Sequence, residues 1–203
     1  MGVENTEGKT DGREQIEYAA EYGKCFKLSS NVNKYYYHRL RVAENPWPDT
    51  IQPTLRPAIN DYVNGVLDIG DQLRDALCVG MGIARHLSES MFSKGEEQEP
   101  NFWSMKLVSY PPPANTTIND ASDTEYGVGA HADSNFLTMI LQDDKNSGLQ
   151  VQTIEGEWID VPPTPPNVLI CNIGELAQIF SGGYLISGCP LVQNPRRIPH
   201  RRN

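Results

Sequence analysis

A histidine and an aspartate lie two residues apart, at His131 and Asp133, just before the apolar run FLTMIL. In an extended chain, side chains at positions i and i+2 point to the same side. An imidazole and a carboxylate on one side can bind a single divalent metal ion, and both groups suit Fe(II). Because an isolated His-x-Asp pattern is not specific, the hypothesis of an iron site depends on the elements around the pair and on a third ligand.

The segment after residue 101 has the sequence pattern of short strands separated by turns. We predict strands in FWSMKLVSY, FLTMILQ, GLQVQT, EWIDV and NVLICNIG, a short helix in ELAQIF that opens at Gly174, and one more strand that begins in YLIS. Short strands with turn signals at this spacing indicate an antiparallel barrel or jelly roll. His131 and Asp133 would then lie at the mouth of a core strand, where such a fold presents a ligand site.

The first half of the chain predicts a helical scaffold. Residues 1 to about 50 are polar, and the prolines near their end break any regular element. Apolar residues then recur at helical spacing and predict one long helix over about 55–82, and LSESMF predicts a short second helix with Ser88 as its cap. The predicted fold class is therefore α+β, with a jelly-roll core over residues 101–203 and a partial N-terminal helical region over residues 1–100.

The charge of the chain argues against two classes of partner. The net charge is −9, whereas binding to nucleic acid or to an anionic membrane needs a basic face. No apolar stretch approaches the roughly 20 residues of a membrane span, and the polar N-terminus has no apolar signal core. The four cysteines are widely spaced and form neither a CxxC pair nor a zinc pattern. We therefore expect a cytoplasmic protein with reduced thiols.

Several segments occur in an order that carries a family resemblance. KLVSYPPP, GAHADSNFLTMILQDD, SGLQVQTIEGEWIDVPP and NVLICNIGELAQIFSGGYLIS follow one another, and their order resembles the iron(II)/2-oxoglutarate-dependent dioxygenases. The resemblance is to the branch typified by isopenicillin N synthase, whose helical part is similar to LRPAINDYVNGVLDIGDQLRDALCVGMGI. It covers about residues 6–187 and implies a double-stranded β-helix, which is a jelly roll, with the long scaffold helix on its N-terminal side.

The resemblance implies an oxygenase that uses Fe(II), 2-oxoglutarate and O2. His131 and Asp133 would be the first two iron ligands, 2-oxoglutarate would chelate the metal, and O2 would take a further position. Decarboxylation of 2-oxoglutarate to succinate would supply the oxidant that attacks, and by default hydroxylates, a C–H bond of a small organic substrate. Tyr110 matches a tyrosine that contacts the 2-oxoglutarate carboxylate in related enzymes. A role in specialised metabolism is expected from the branch.

At the third iron ligand the sequence departs from the family pattern. The family continues after the segment matching SGGYLIS with a histidine ligand and then an arginine that binds 2-oxoglutarate, whereas this chain has GCPLVQNPRRIPHRRN. In one alignment Pro190 falls on the ligand position, so that the ligand is lost, and Arg201 falls near the position of the arginine. In the other alignment residues are inserted and His200 is the third ligand. We prefer His200 because proline, histidine and arginine match together in PHR.

The pattern also predicts a chain that is truncated at both ends relative to the family. The jelly roll would then be incomplete at its C-terminus, which would expose an unpaired sheet edge. Two alternatives to an active 2-oxoglutarate enzyme follow. One is a truncated non-catalytic relative, and the other is an oxidase similar to isopenicillin N synthase that uses iron and O2 without 2-oxoglutarate.

Overall fold

The computed structural model describes residues 5–6, 9–10, 12–21, 44–92, 103–110, 126–143, 145 and 148–193. The chain divides into two compact units. We name them the helical unit, residues 15–107, and the strand unit, residues 1–14 and 108–203. No helix within the described ranges is long and apolar enough to cross a membrane.

Helices and antiparallel strands alternate with loops along the described ranges. The helices are α1 Leu55–Gly80, α2 Arg85–Met91 and α3 Glu175–Phe180. The strands are β1 Asn5–Thr6, β2 Lys9–Thr10, β3 Glu14–Ala19, β4 Ser104–Ser109, β5 Tyr126–Val128, β6 Leu137–Ile140, β7 Leu149–Gln152, β8 Trp158–Asp160, β9 Ile170–Ile173 and β10 Cys189–Gln193. The sheet orders are β1-β2, β3-β4, β6-β9 and β5-β10-β7-β8.

The core of the helical unit depends on α1. The helix confirms the one that the apolar spacing predicts. Its residues Ile59 and Val63 lie one turn apart and are buried together with Tyr18. Each such buried side chain contributes roughly 1.5–3 kcal/mol of apolar burial to folding. The partly buried residues that pack against this cluster are Trp47, Leu55, Leu67, Trp103 and Met105.

Helix α1 ends in a glycine turn. Gly82 has a φ of 82°, a left-handed conformation that glycine adopts at little cost because it has no Cβ. The N–H of Ile83 donates to the carbonyl oxygen of Cys78, and the N–H of Gly82 donates to that of Val79. These two bonds form a Schellman motif, which satisfies the last carbonyl groups of the helix. The helix therefore stops slightly before its predicted end.

Ser88 does not cap the second helix, and this prediction was wrong. Helix α2 begins after Ala84, so Ser88 lies inside it. Ser88 is fully buried and its hydroxyl donates to Asp75 Oδ1 in α1 at 2.8 Å. The side chain therefore joins two helices. The sequence pattern is ambiguous here because a serine hydroxyl can bind a backbone group at a cap or an acceptor on another element.

Strand β3 lies in the N-terminal region that the sequence predicts as partly helical, where we predicted no strand. It pairs with β4 in a two-stranded sheet. Alternation along β3 buries Tyr18, which is 1% exposed, and its ring stacks on Trp47 with ring centroids 4.4 Å apart. Because β4 lies far along the chain, the local sequence does not reveal this pairing.

The strand predicted to begin in YLIS begins later, at Cys189. The preceding segment is held by side chains rather than by a neighbouring strand. The N–H of Leu185 donates to Ser181 Oγ, and the N–H of Ser187 donates to Gln178 Oε1. These bonds use backbone donors that a sheet would need, so YLIS folds back on the end of α3. The other strands predicted after residue 101 and the helix in ELAQIF are confirmed.

Candidate metal centre

His131 and Asp133 lie in the loop between β5 and β6, and their side chains approach each other. His131 Nε2 and Asp133 Oδ1 are 3.5 Å apart. Two ligands at right angles on one metal ion lie about 3 Å apart, because metal–nitrogen and metal–oxygen bonds are about 2.1 Å long. The side chains are partly exposed, at 38% for His131 and 21% for Asp133. The pair therefore fits two neighbouring positions of a divalent metal ion.

A backbone carbonyl fixes the tautomer of His131. Nδ1 lies 2.9 Å from the carbonyl oxygen of Gly129, which can only accept, so Nδ1 carries a hydrogen. Nε2 is left to face Asp133, as in metal-binding imidazoles whose other nitrogen is hydrogen-bonded. The hydrogen bond to the Asp133 carboxylate raises the pKa of His131, although burial acts in the opposite direction. In the absence of a metal, a proton is therefore favoured between the two side chains.

The two carboxylate oxygens of Asp133 have different surroundings. Oδ2 accepts hydrogen bonds from the Thr138 hydroxyl at 2.6 Å and from the Asn172 side-chain amide at 2.9 Å, whereas Oδ1 faces His131. The hydrogen bond from His131 lowers the pKa of Asp133 well below its usual range. Thr138 and Asn172 lower that pKa further, against the effect of burial. Asp133 is therefore ionised at neutral pH, with Oδ1 on the side of the imidazole.

Backbone hydrogen bonds hold the loop that carries Asp133 against the start of α3. The N–H of Glu175 donates to the Asp133 carbonyl oxygen at 2.7 Å, and the N–H of Gly174 donates to that of Phe136 at 3.1 Å. A Cβ at Gly174 would overlap the backbone oxygen of Asn135 and approach Asn135 Oδ1 to 2.6 Å. The position of this loop therefore depends on a glycine at residue 174.

Pro190, which belongs to strand β10, lies next to His131. The N–H of His131 donates to the Pro190 carbonyl oxygen at 3.2 Å, and Pro190 is buried. Alternation along β10 puts Pro190 on the same face as Val192, whose Cγ1 lies 3.5 Å from the position of a Cβ at Gly127. Proline has no N–H and is unusual in an inner strand. The residue that one alignment assigns to the third ligand therefore lies beside His131.

Tyr110 packs against the same strand unit at Gly127. A Cβ at Gly127 would lie 2.7 Å from Tyr110 Cδ1, so the ring covers the glycine backbone directly. His200 and Arg201, the other predicted site residues, lie outside the described residues. The part of the chain that the structure describes has no group of three or more His, Cys, Asp or Glu side chains that could hold a metal. Its donor pair fits two of the three protein positions of an iron site of this type.

The residues that support Asp133 were missed from the sequence. Thr138 and Asn172 are polar positions in the otherwise apolar strands LTMI and ICNI. A buried polar side chain in such a strand needs a hydrogen-bond partner, and this interruption of the apolar pattern was the available signal. The pairing of β6 with β9 is a tertiary contact, so the sequence does not show that the two residues face each other.

The part of the chain that carries this site matches known proteins in sequence. The model of the 2OG-Fe(II) oxygenase superfamily matches residues 102–199, a range that includes His131 and Asp133. The matched segment, residues 102–199, therefore belongs to the 2OG-Fe(II) oxygenase superfamily. The family predicted from the order of the sequence segments is thereby confirmed, and the isopenicillin N synthase-like branch stays a prediction.

Relatives of this chain include plant enzymes. Homoarginine-6-hydroxylase 2-ODD-C23 of Glycine max is 31% identical over 186 residues, which are 90% of this chain and 51% of the relative. 1-Aminocyclopropane-1-carboxylate oxidase 5 of Arabidopsis thaliana is 30% identical over 143 residues, which are 69% of this chain and 42% of the relative. The chain thus spans about half the length, or less, of these relatives.

A solved structure shares the fold. The crystal structure of a full-length Neurospora crassa protein in complex with alpha-KG and thymine matches with a TM-score of 0.66 at 23% identity, over 96% of this chain and 51% of that one. Because the family match and the structural match agree, the predicted α+β class with a jelly-roll core is confirmed.

Proposed function

We propose that this 2OG-Fe(II) oxygenase chain contributes the iron-binding core of an enzyme that oxidises a C–H bond of a small organic substrate, with decarboxylation of 2-oxoglutarate to succinate. The observation that carries the proposal is the approach of His131 Nε2 to Asp133 Oδ1 at 3.5 Å. Imidazole and carboxylate are ligands of non-haem Fe(II) oxygenases and leave positions open for a co-substrate. In this proposal residues 101–203 form the catalytic core, and residues 1–100 form a partial N-terminal helical region.

Fe(II), 2-oxoglutarate and O2 are the proposed cofactor and co-substrates. When bound, they supply the oxidant for the C–H bond, and the chain supplies the orientation and protonation state of its ligands. His131 gives up the proton at Nε2 and keeps the one at Nδ1, which the Gly129 carbonyl holds. Asp133 stays ionised and offers Oδ1, because Thr138 and Asn172 occupy Oδ2.

Tyr110 and Arg201 are the proposed contacts to 2-oxoglutarate. An arginine binds a carboxylate through two parallel hydrogen bonds, and a tyrosine hydroxyl can donate a further one. The position of Tyr110 supports this role, because it packs on Gly127 in β5. Strand β5 pairs with β10, which contains the Pro190 carbonyl that binds the His131 N–H.

The third protein ligand is proposed to be His200. The competing alignment puts Pro190 at that position. The hydrogen bond from the His131 N–H to the Pro190 carbonyl oxygen is a specific observation that favours this competing alignment. With a proline at the ligand position, one histidine and one carboxylate would hold the metal, and its affinity would be lower. Substitutions at the two positions therefore separate the alignments.

The proposed substrate class is a small organic molecule. The similar proteins are named for homoarginine and 1-aminocyclopropane-1-carboxylate or were crystallised with thymine, and these three differ widely in chemistry. We further infer from the sequence resemblance an isopenicillin N synthase-like branch and a role in specialised metabolism. The net charge of −9 supports an enzyme that does not bind nucleic acid. We infer a cytoplasmic location from the widely spaced cysteines, which form no recognisable pair.

An anaerobic titration tests the proposal. Fe(II) and then 2-oxoglutarate are added to the purified chain, and the visible metal-to-ligand charge-transfer band is recorded. We expect the band in the wild-type chain and its loss in His131→Ala and His200→Ala, whereas His86→Ala in α2 should keep it. A folded wild-type protein without the band would contradict the proposal. Formation of succinate in air separates this activity from that of an oxidase that needs only iron and O2.

Substitution of Pro190 provides the complementary measurement. Pro190→His adds an imidazole next to His131. Pro190→Ala restores the backbone N–H, as Pro190→His also does, but adds no imidazole. Equal metal affinities of the two variants would support His200 as the third ligand. Tighter binding by Pro190→His, together with a charge-transfer band that survives in His200→Ala, would support the alignment that assigns the ligand position to Pro190.

A further inference from the structure

We propose that Thr138 and Asn172 are positioning residues that hold Asp133 with a single oxygen turned toward the metal. This role rests on the proposed function, because it concerns the carboxylate of the same site. Both side chains bind Asp133 Oδ2, at 2.6 Å from the Thr138 hydroxyl and at 2.9 Å from the Asn172 amide. Oδ1 is then the oxygen on the side of His131.

The two donors come from directly opposite positions of neighbouring strands. Thr138 in β6 pairs with Asn172 in β9, so the two side chains leave the same face of the sheet. Asp133 lies outside both strands, in the loop before β6. The register of the sheet therefore sets the orientation of the carboxylate, and a sheet holds a functional group more rigidly than a loop does.

A second contact directs the Thr138 hydroxyl to Asp133. Asn135 Nδ2 donates to Thr138 Oγ1 at 2.9 Å. Thr138 Oγ1 lies 3.0 Å from Asn135 Oδ1 and 2.6 Å from Asp133 Oδ2. A hydroxyl has one hydrogen to donate, and the shorter bond to an ionised acceptor is the stronger one. Asn135 thus donates to the threonine, and the threonine donates to the aspartate.

Asn172 uses only half of its amide. Nδ2 donates to Asp133, whereas the buried Oδ1 has no hydrogen-bond partner among the described residues. A buried acceptor without a partner is unfavourable for folding. A leucine of similar size would remove both this unfavourable group and the hydrogen bond to Asp133. In Asn172→Leu, stability should therefore stay the same or rise while metal affinity falls, which a purely structural role does not predict.

Binding of Mn(II), followed by electron paramagnetic resonance, tests the inference without turnover, and urea unfolding is measured on the same proteins. For Thr138→Val and Asn172→Leu we expect a Kd for Mn(II) about 10–100-fold above that of the wild-type chain, the range for residues that orient metal ligands. Thr138→Ser keeps the hydroxyl and should bind Mn(II) as the wild-type chain does.

Thr153→Val is the matched control. Thr153 also uses its hydroxyl in a hydrogen bond, as acceptor of the Glu157 N–H in the turn between β7 and β8. Its loss should leave the Kd unchanged. Wild-type affinity in folded Thr138→Val and Asn172→Leu, or an equal loss in Thr153→Val, would overturn the inference and leave the proposed function standing. A wild-type chain that binds no Mn(II) would overturn both.

Discussion

Glu21 in the helical unit and Asp133 in the strand unit are both carboxylates with several hydrogen-bond donors, but the donors differ in kind. Glu21 Oε1 accepts from the Asn45 N–H at 2.9 Å and from the Trp47 indole at 2.7 Å. Its Oε2 accepts from Arg56 Nη2 at 3.1 Å. All three donors keep their hydrogens at any pH at which the protein folds, so both oxygens of Glu21 have permanent partners.

The two carboxylate oxygens of Asp133 have partners of different kinds. Oδ2 has permanent donors in Thr138 and Asn172. Oδ1 faces an imidazole, and an imidazole can exchange its proton for a metal near neutral pH. The number of hydrogen bonds therefore does not separate the structural carboxylate of Glu21 from the proposed metal ligand Asp133. The two differ in that one oxygen of Asp133 has a titratable partner.

Replacing Asp133 gives the largest expected effect on this comparison. Asp133→Asn removes the proposed anionic ligand, and we expect the Kd for Mn(II) to rise at least about 100-fold. The urea midpoint should also fall, because an amide oxygen accepts weaker hydrogen bonds from Thr138 and Asn172 than the carboxylate does, so Mn(II) binding is compared under conditions in which both proteins are folded. Glu21→Gln is the control and should leave Mn(II) binding unchanged. Weaker binding in Glu21→Gln would show that the two carboxylates are not independent.

Gly174→Ala should disturb the site without touching a ligand. The added Cβ would overlap Asn135 and displace the loop that carries Asp133. We expect a free energy of unfolding lower by about 1–3 kcal/mol and a Kd for Mn(II) raised about tenfold. In contrast, Gly65→Ala in α1 has open space around the new Cβ and should stabilise the helix by about 0.5–1 kcal/mol. A stable Gly174→Ala variant with normal binding would contradict this account.

Glu21→Gln should lower the free energy of unfolding by about 1–3 kcal/mol, because it weakens hydrogen bonds to a charged group. Burial would raise the pKa of Glu21, but the Asn45 N–H, Trp47 and Arg56 outweigh it and lower the pKa. A lowered pKa means that the stabilisation is present above the unfolded value of about 4.3 and is lost as pH falls through the native value. Urea unfolding of both proteins should therefore show a difference at pH 7 that shrinks in acid.

The pH dependence of Mn(II) binding gives a more gradual effect than the substitutions do, because it is spread over several pH units. At the proposed site, a metal must displace the Nε2 proton of His131, whose pKa is raised by Asp133. Below that raised pKa, the Mn(II) affinity should fall about tenfold for each pH unit, because binding releases one proton. The pH at which the Mn(II) affinity begins to fall should lie above about 6.5, which is the pKa of a free histidine. A pH-independent affinity between pH 5 and 8 would argue against His131 as a ligand.

Local patterns predicted the elements that local contacts determine. The spacing of Ile59 and Val63 predicted α1, and the separation of His131 and Asp133 by two residues predicted their approach. The surroundings of Asp133 and Glu21 were not predictable in this way. Asn172 reaches Asp133 from another strand through sheet register, and the partners of Glu21 likewise lie well apart from it along the chain.

The position of β10 has a consequence for folding kinetics. It is the last described strand in the chain, yet it lies between β5 and β7 in the sheet, and Val192 pairs with Val128 far earlier in the sequence. Such pairings give a high contact order, which slows folding. During synthesis, β5 and β7 emerge from the ribosome before β10, the strand that lies between them. Until β10 emerges, the backbone groups of β5 and β7 that pair with it have no hydrogen-bond partner in the sheet. We expect the nascent chain to be most prone to aggregation in that interval.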